Sequence, residues 1–205
     1  MKRSFVFFCA LMAGALSFSS CNKDLKDDLN ELKREMGVDE PITATTTFTD
    51  LKNAERKVTA TFKYKWSNSY SDAMRKNLNG TYDIYIRRYQ DRYDENGIEL
   101  YFVYDPTTKK IIYKDFELYW DDLGLSNGEI DVNEEGDPET GLTFNIDLKS
   151  IDLQTGAINL DVKIEGTKEY ANNNQYNVPN KNSAFSTAFS FNGKLSVYDM
   201  SEQPN

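Results

Sequence analysis

Carboxyl groups crowd one short stretch of this chain, Glu129-Ile130-Asp131-Val132-Asn133-Glu134. Two carboxyls held about 5–5.5 Å apart can cleave a glycosidic bond, one as nucleophile and the other as acid and base. On a strand Glu129 and Asp131 share one face, and a bulge after Val132 would bring Glu134 to the same side. The same stretch also offers the oxygen donors of a calcium loop. Asp131, Asn133, Glu135, Gly136, Asp137 and Glu139 fall at positions one, three, five, six, seven and nine of such a loop, although Leu142 stands where its closing Glu belongs. Asp131, Asn133, Glu135 and Asp137 are therefore candidate ligands of a structural calcium ion, and no other cofactor is indicated. The third reading is a solvated acidic loop from Gly124 to Thr140, because Gly124, Asn127-Gly128, Gly136 and Pro138 surround the carboxylates with turn signals.

The first of these readings has a counterpart among known enzymes. The run from Glu129 to Glu134 resembles the core of the catalytic signature of laminarinase-type glycoside hydrolases, also all-β, which implies two Glu as nucleophile and acid/base with the Asp between them assisting. The chain is short for that fold, and no aromatic residues flank the run to make a sugar cleft. The expectation is that the protein is not an enzyme, with the hydrolase kept as a remote alternative.

Aromatic residues are the second constellation. Tyr82, Tyr85, Tyr89, Tyr101, Tyr104 and Trp120 crowd the middle of the chain with Tyr93, Tyr113 and Tyr119, and a flat ring with a polar tip suits stacking on a sugar or gripping an apolar ligand. The first six are candidate ligand-binding residues; the competing reading makes them core and cross-strand pairs. Arg87, Arg88 and Arg92 beside them suit a carboxylate clamp or, more simply, a charged edge strand that discourages sheet-to-sheet association.

Composition removes several alternatives. The 205 residues include no His, and both Cys lie in the first 21 positions. That excludes a Ser/His/Asp or Cys/His nucleophile system, an imidazole zinc site and a disulfide framework. A net charge of −9 argues against nucleic acid as a partner.

The amino terminus carries an address. Lys2 and Arg3 precede an uncharged apolar run from Phe5 to Leu16, and Ser17 to Ser20 lead into Cys21, the pattern of a cleaved export signal. The run is too short to span a bilayer. Ser19-Ser20-Cys21 resembles a lipobox, in which the Cys thiol is acylated and the chain is cut before it, although Phe18 stands where Leu is usual. Cleavage there would remove two of the 24 basic residues and none of the 33 acidic ones, shifting the net charge from −9 to −11. Cys21-Asn22-Lys23-Asp24, followed by Asp27 and Asp28, resembles the start of Bacteroidetes outer-membrane lipoproteins. That resemblance implies lipid attachment at Cys21, an outer-membrane location, display at the cell surface and the membrane as a partner through the anchor. The remainder, rich in Tyr and Asn, is similar in style to the small all-β, calycin-like domains of unknown function that such lipoproteins carry.

The elements that must position these residues follow from periodicity. Leu25, Leu29, Leu32 and Met36 recur at helical spacing up to Gly37, so residues 1–20 read as signal peptide and 21–41 as an acylated tether with a short helix. From Ile42 the period becomes two. Val58, Ala60, Phe62, Tyr64 and Trp66 alternate with Thr59, Thr61, Lys63 and Lys65, and Ile158, Leu160, Val162 and Ile164 alternate with Asn159, Asp161 and Lys163. With Asn79-Gly80, Asn96-Gly97, Asp105-Pro106 and Asn192-Gly193 as turn signals, nine strands are expected near 42–49, 57–66, 81–91, 98–104, 110–119, 142–149, 157–165, 184–191 and 194–199. Asp72 to Lys76 reads as a helical turn. The whole of 42–205 is thus expected to be one all-β domain, a single antiparallel barrel or a two-sheet sandwich, with hairpin connections favouring the barrel. The function this implies is a non-enzymatic surface or envelope lipoprotein that binds a small molecule, lipid or glycan; the alternative is a structural or protein-interaction component of an envelope complex.

Overall fold

Thr43, Thr45, Thr47 and Thr49 alternate with Ile42, Ala44, Thr46 and Phe48, and the second set is buried. A strand with one wet and one dry face needs that pattern. In the computed structural model, which describes residues 40–50, 52–64, 72–90, 96–120, 128–134, 140–174, 179–180 and 182–199, this strand is β1 (Ile42–Thr49). Cys21, the expected helix at 24–37, Arg92, Glu135 and Asp137 lie outside the described residues.

Ten further strands follow: β2 (Glu55–Phe62), β3 (Ala73–Lys76), β4 (Tyr82–Tyr89), β5 (Gly97–Asp105), β6 (Lys110–Trp120), β7 (Gly128–Glu134), β8 (Leu142–Ile151), β9 (Ala157–Gly166), β10 (Phe185–Lys194) and β11 (Ser196–Asp199). They form two sheets, a five-stranded one in the order β2-β1-β10-β9-β8 and a six-stranded one in the order β11-β3-β4-β5-β6-β7. All pairings are antiparallel except β11 with β3. The architecture is therefore a sandwich, and the barrel favoured by the hairpin connections is corrected. Hairpin connections are common to both forms; what decides is pairing between the sheets, and among the described residues a lone bridge between Lys63 and Tyr89 joins them at one corner.

Three segments depart from expectation. The residues Ala73 to Lys76 are strand, not helical turn. Their side chains favour a helix locally, but β4 and β11 on either side supply ladder partners, and burial of Ala73 and Met74 overrides propensity. Residues 128–134 are also strand, not solvated loop, because Ile130 and Val132 both reach the core. A short helix, α1 (Lys168–Asn173), was not expected either; Thr167 caps it by accepting from the Tyr170 N–H, and Tyr170 and Ala171 are buried. No helix among the described residues is long and apolar enough to cross a membrane.

The core lies between the sheets. Phe116 of β6 stacks on Phe189 of β10, centroids 5.8 Å apart, and meets Phe144 of β8 edge-on. One charged side chain enters this layer with partners around it. Arg88, fully buried, binds Asp72 through Nη1 and donates from Nε to the Glu40 carbonyl oxygen, while its guanidinium lies over Tyr64 and Phe191. The charged-edge reading of Arg87 and Arg88 is thereby corrected: β4 sits between β3 and β5, and Arg88 faces inward.

Candidate functional site

Alternation in β4 to β7 sends one set of side chains into the sandwich and the other onto the outer face of the six-stranded sheet. Ile84, Ile86, Leu100, Phe102, Phe116, Leu118, Ile130 and Val132 go inward and are buried. The outer face is then ordered by register. Tyr85, Tyr101, Asp115 and Asn133 form one row across the four strands; Arg87, Glu99, Glu117 and Asp131 form the next; Tyr89, Gly97, Tyr119 and Glu129 form the third.

The β4–β6 residues of the first two rows line a cleft of about 350 Å³: Tyr85, Arg87, Glu99, Tyr101, Asp115 and Glu117. The Tyr85 and Tyr101 rings are stacked at 4.5 Å between centroids, with Tyr113 tilted against Tyr101 at 5.5 Å. Arg75 and Arg87 both lie over the Tyr85 ring, at 5.3 and 5.9 Å. Arg87 also pairs with Glu99 at 2.8 Å, and the Tyr89 hydroxyl donates to the same carboxylate.

Burial and mutual repulsion disturb this cluster. Partial burial, followed by the charges of Glu99, Glu129, Asp131 and Asp115, pushes the Glu117 carboxyl up to about 7. Burial raises Asp115, Glu129 and Asp131 as well, with the Asp131 charge adding to the first two. The Tyr101 hydroxyl is also pushed upward, by burial and then by Asp83 and Tyr85. Among the described residues, no cation pairs with Glu117, Glu129 or Asp131.

The expected site residues divide across the two faces. Tyr85 and Tyr101 stand on the outer face and line the cleft, as a ligand surface requires; Tyr89 shares their parity but is buried, its hydroxyl on Glu99. Tyr82, Tyr104 and Trp120 have inward parity: Tyr104 and Trp120 are core, Trp120 packing on Phe48 at 5.3 Å, and Tyr82 packs against that core. These three pack in or against the core and not on the outer face. Glu129 and Asp131 share the outer face, but Glu134 does not. The pairing of β6 with β7 runs without a register shift, so no bulge follows Val132. Glu134 is buried inward, 2.5 Å from Lys114 Nζ, and the Lys114 ammonium also donates to the Phe144 carbonyl oxygen. The pair required by the hydrolase reading thus lies on opposite faces of one strand.

For calcium, Asp131 and Asn133 are residues of β7 and not successive donors of a loop. Among the described residues no group of three or more acidic side chains converges in a way that would hold a metal ion. The residues that sequence reasoning missed are Glu99, Asp115 and Glu117. Each alternates with a core residue, so the outward direction was readable. That they line one cleft depends on the β5–β6 register, which includes a shift at Val103/Tyr104.

Comparison with known protein families, curated proteins and solved structures returns no match.

Proposed function

We propose that this chain is an exported, lipid-anchored envelope protein whose β-sandwich is a non-enzymatic binding module, with the outer face of β4–β7 as its binding site. The observation that carries this reading is the stacked Tyr85–Tyr101 pair on the solvent side of a sheet, bordering a cleft with carboxylates and Arg87 along it. Ring faces stack on the apolar faces of sugars, and carboxylates and guanidinium bind hydroxyls; the combination suits a glycan or a small polar molecule. The anchor is the Cys21 thiol, after the apolar run and the two serines. An acyl chain contributes about 0.8 kcal/mol per buried methylene, and stable attachment takes more than one.

Two measurements test this. Metabolic labelling with an alkyne fatty acid should mark the wild-type chain and not Cys21→Ser; equal labelling would remove the anchor. A glycan and metabolite screen by thermal shift should find ligands whose effect disappears in Tyr101→Ala; ligands unaffected by that change would remove the cleft. A protein-interaction role is favoured instead by the exposed Val197 and Tyr198 on the short edge strand β11. It predicts a stable partner in crosslinked envelopes that Val197→Lys releases.

A further inference from the structure

Among the described residues, the cleft and the row that crosses it hold more negative charge than their neighbours balance. Glu99, Glu117 and Asp131 are directly opposed across β5, β6 and β7. Directly opposed residues have Cβ atoms about 4.5–5.5 Å apart, and like charges so placed are destabilising. Arg87 pairs with Glu99 at one end of this row.

Aromatic rings stand on both sides of the same row. Tyr85 and Tyr101 form one wall. The other is Tyr119, whose ring lies over Gly97 where a side chain would otherwise be, with Tyr89 beyond it on β4. Ring faces are electron-rich, so a cation lying between such walls is attracted by the rings as well as by the carboxylates beneath. A bare metal ion would gain little from the rings, and the acidic side chains do not converge on one point. A neutral sugar would use the rings but leave the carboxylates unbalanced.

We infer that this carboxylate-floored, tyrosine-walled trough takes an organic ammonium group, as the charged part of a small amine-bearing ligand. The inference rests on the reading of the outer face as a binding site and adds the charge of its ligand. The elevated Glu117 carboxyl agrees with it. The groups facing Glu117 are Glu99, with its Arg87 partner, from β5, Asp131 and Glu129 from β7, and Asp115 and Tyr119 on its own strand. A bound ammonium stabilises the ionised form, so binding expels the Glu117 proton and strengthens as pH rises from 6 to 8.

The test is titration calorimetry of the full chain in non-ionic detergent, at matched ionic strength, with three probes: choline, a glucosamine disaccharide and the N-acetylated form of that disaccharide. Choline and the free-amine sugar should bind, more tightly at pH 8 than at pH 6, and about tenfold or more weaker in Glu117→Gln and in Tyr119→Ala. Circular-dichroism melts of both variants establish that they fold. Equal binding of the two sugars with no binding of choline would overturn the ammonium inference and leave the glycan reading standing. Choline binding without either sugar would uphold the inference and remove the glycan. Binding indifferent to both substitutions, or no binding by any probe, would overturn it together with the assignment of the site.

Discussion

The ring of Tyr119 lies over Gly97, its directly opposed partner on β5, in the space that a Cβ there would fill. Glycine at this point lets an aromatic ring reach over the neighbouring strand, on the far side of the carboxylate row from Tyr101. The atoms a Cβ would meet are the far end of the Tyr119 side chain, which can swing away. Gly97→Ala should therefore cost little stability, about 1 kcal/mol or less, because relief requires a rotamer change and not backbone movement. Loss of the wall should weaken choline binding severalfold. Urea unfolding and calorimetry on the same variant separate these effects; a large stability loss with unchanged binding would place Tyr119 in a purely structural role.

Glu117 makes the fold sensitive to pH. Its carboxyl stands near 7 in the folded chain against an ordinary 4.5, so between those values the folded state holds a proton that the unfolded chain has released. The stability tied to this group is fully present below 4.5 and is lost as pH rises through about 7. The side chain is only half-buried, so solvent screening reduces the effect to about 1 kcal/mol. Melting temperature should fall from pH 5 to pH 8, and Glu117→Gln should flatten the fall and melt higher than wild type at pH 8. Parallel profiles for the two proteins would mean that Glu117 ionises freely.

Where the pattern of apolar residues was strong, the elements were legible. β1 was readable at 42–49 to the residue, because threonines alternate with buried side chains along its whole length. β7 was not, because turn-forming residues crowd both sides and only Ile130 and Val132 mark its inward face. β3 is built from good helix formers and is a strand only because β4 and β11 flank it. For the site, alternation could separate the outer Tyr85, Glu99 and Glu117 from the core, but not say that they share a cleft. Which residues oppose one another is set by register, and a one-residue shift such as that at Val103/Tyr104 changes every subsequent pair. Parity along β4–β6 could also have assigned Tyr104 and Trp120 to the core, since each falls in step with a buried run.

Arg88 of β4 pairs with Asp72 at the start of β3 and reaches Glu40 just before β1, so one buried guanidinium fastens both strand starts to β4. Arg88 is wholly enclosed, donates to the Glu40 carbonyl oxygen and pairs with Asp72, which also accepts from the Arg87 N–H. Removing Asp72 leaves the buried guanidinium to the longer Glu40 ion pair, 3.5 Å at Nη2, and removing Arg88 takes the cation from a buried Asp72. Asp72→Ala should destabilise the domain by about 3–5 kcal/mol, whereas Arg88→Met together with Asp72→Ala should recover much of the loss. Urea denaturation curves of the two variants make the comparison. Additive losses would show that the remaining contacts of each side chain matter more than the pair.

The two glutamates of the Glu129–Glu134 run have different work because strand parity separates them. Glu129 faces outward in the row with Tyr119, at the carboxylate end of the trough, whereas Glu134 faces inward and is nearly enclosed beside Lys114. Lys114 also donates to the Phe144 carbonyl oxygen, so this pair ties β7 and β6 to β8 where the sheets meet. Glu134→Gln removes the charge opposite a largely buried ammonium and should destabilise by about 1–3 kcal/mol, with choline affinity unchanged in the folded fraction. Glu129→Gln removes one of several repelling carboxylates from a half-exposed face; it should leave stability unchanged or raise it by a few tenths of a kcal/mol, and weaken choline binding. Hydrolytic activity that both substitutions abolish equally would require the two side chains to meet, and with them on opposite faces of β7 the expected result is a clean division between stability and binding.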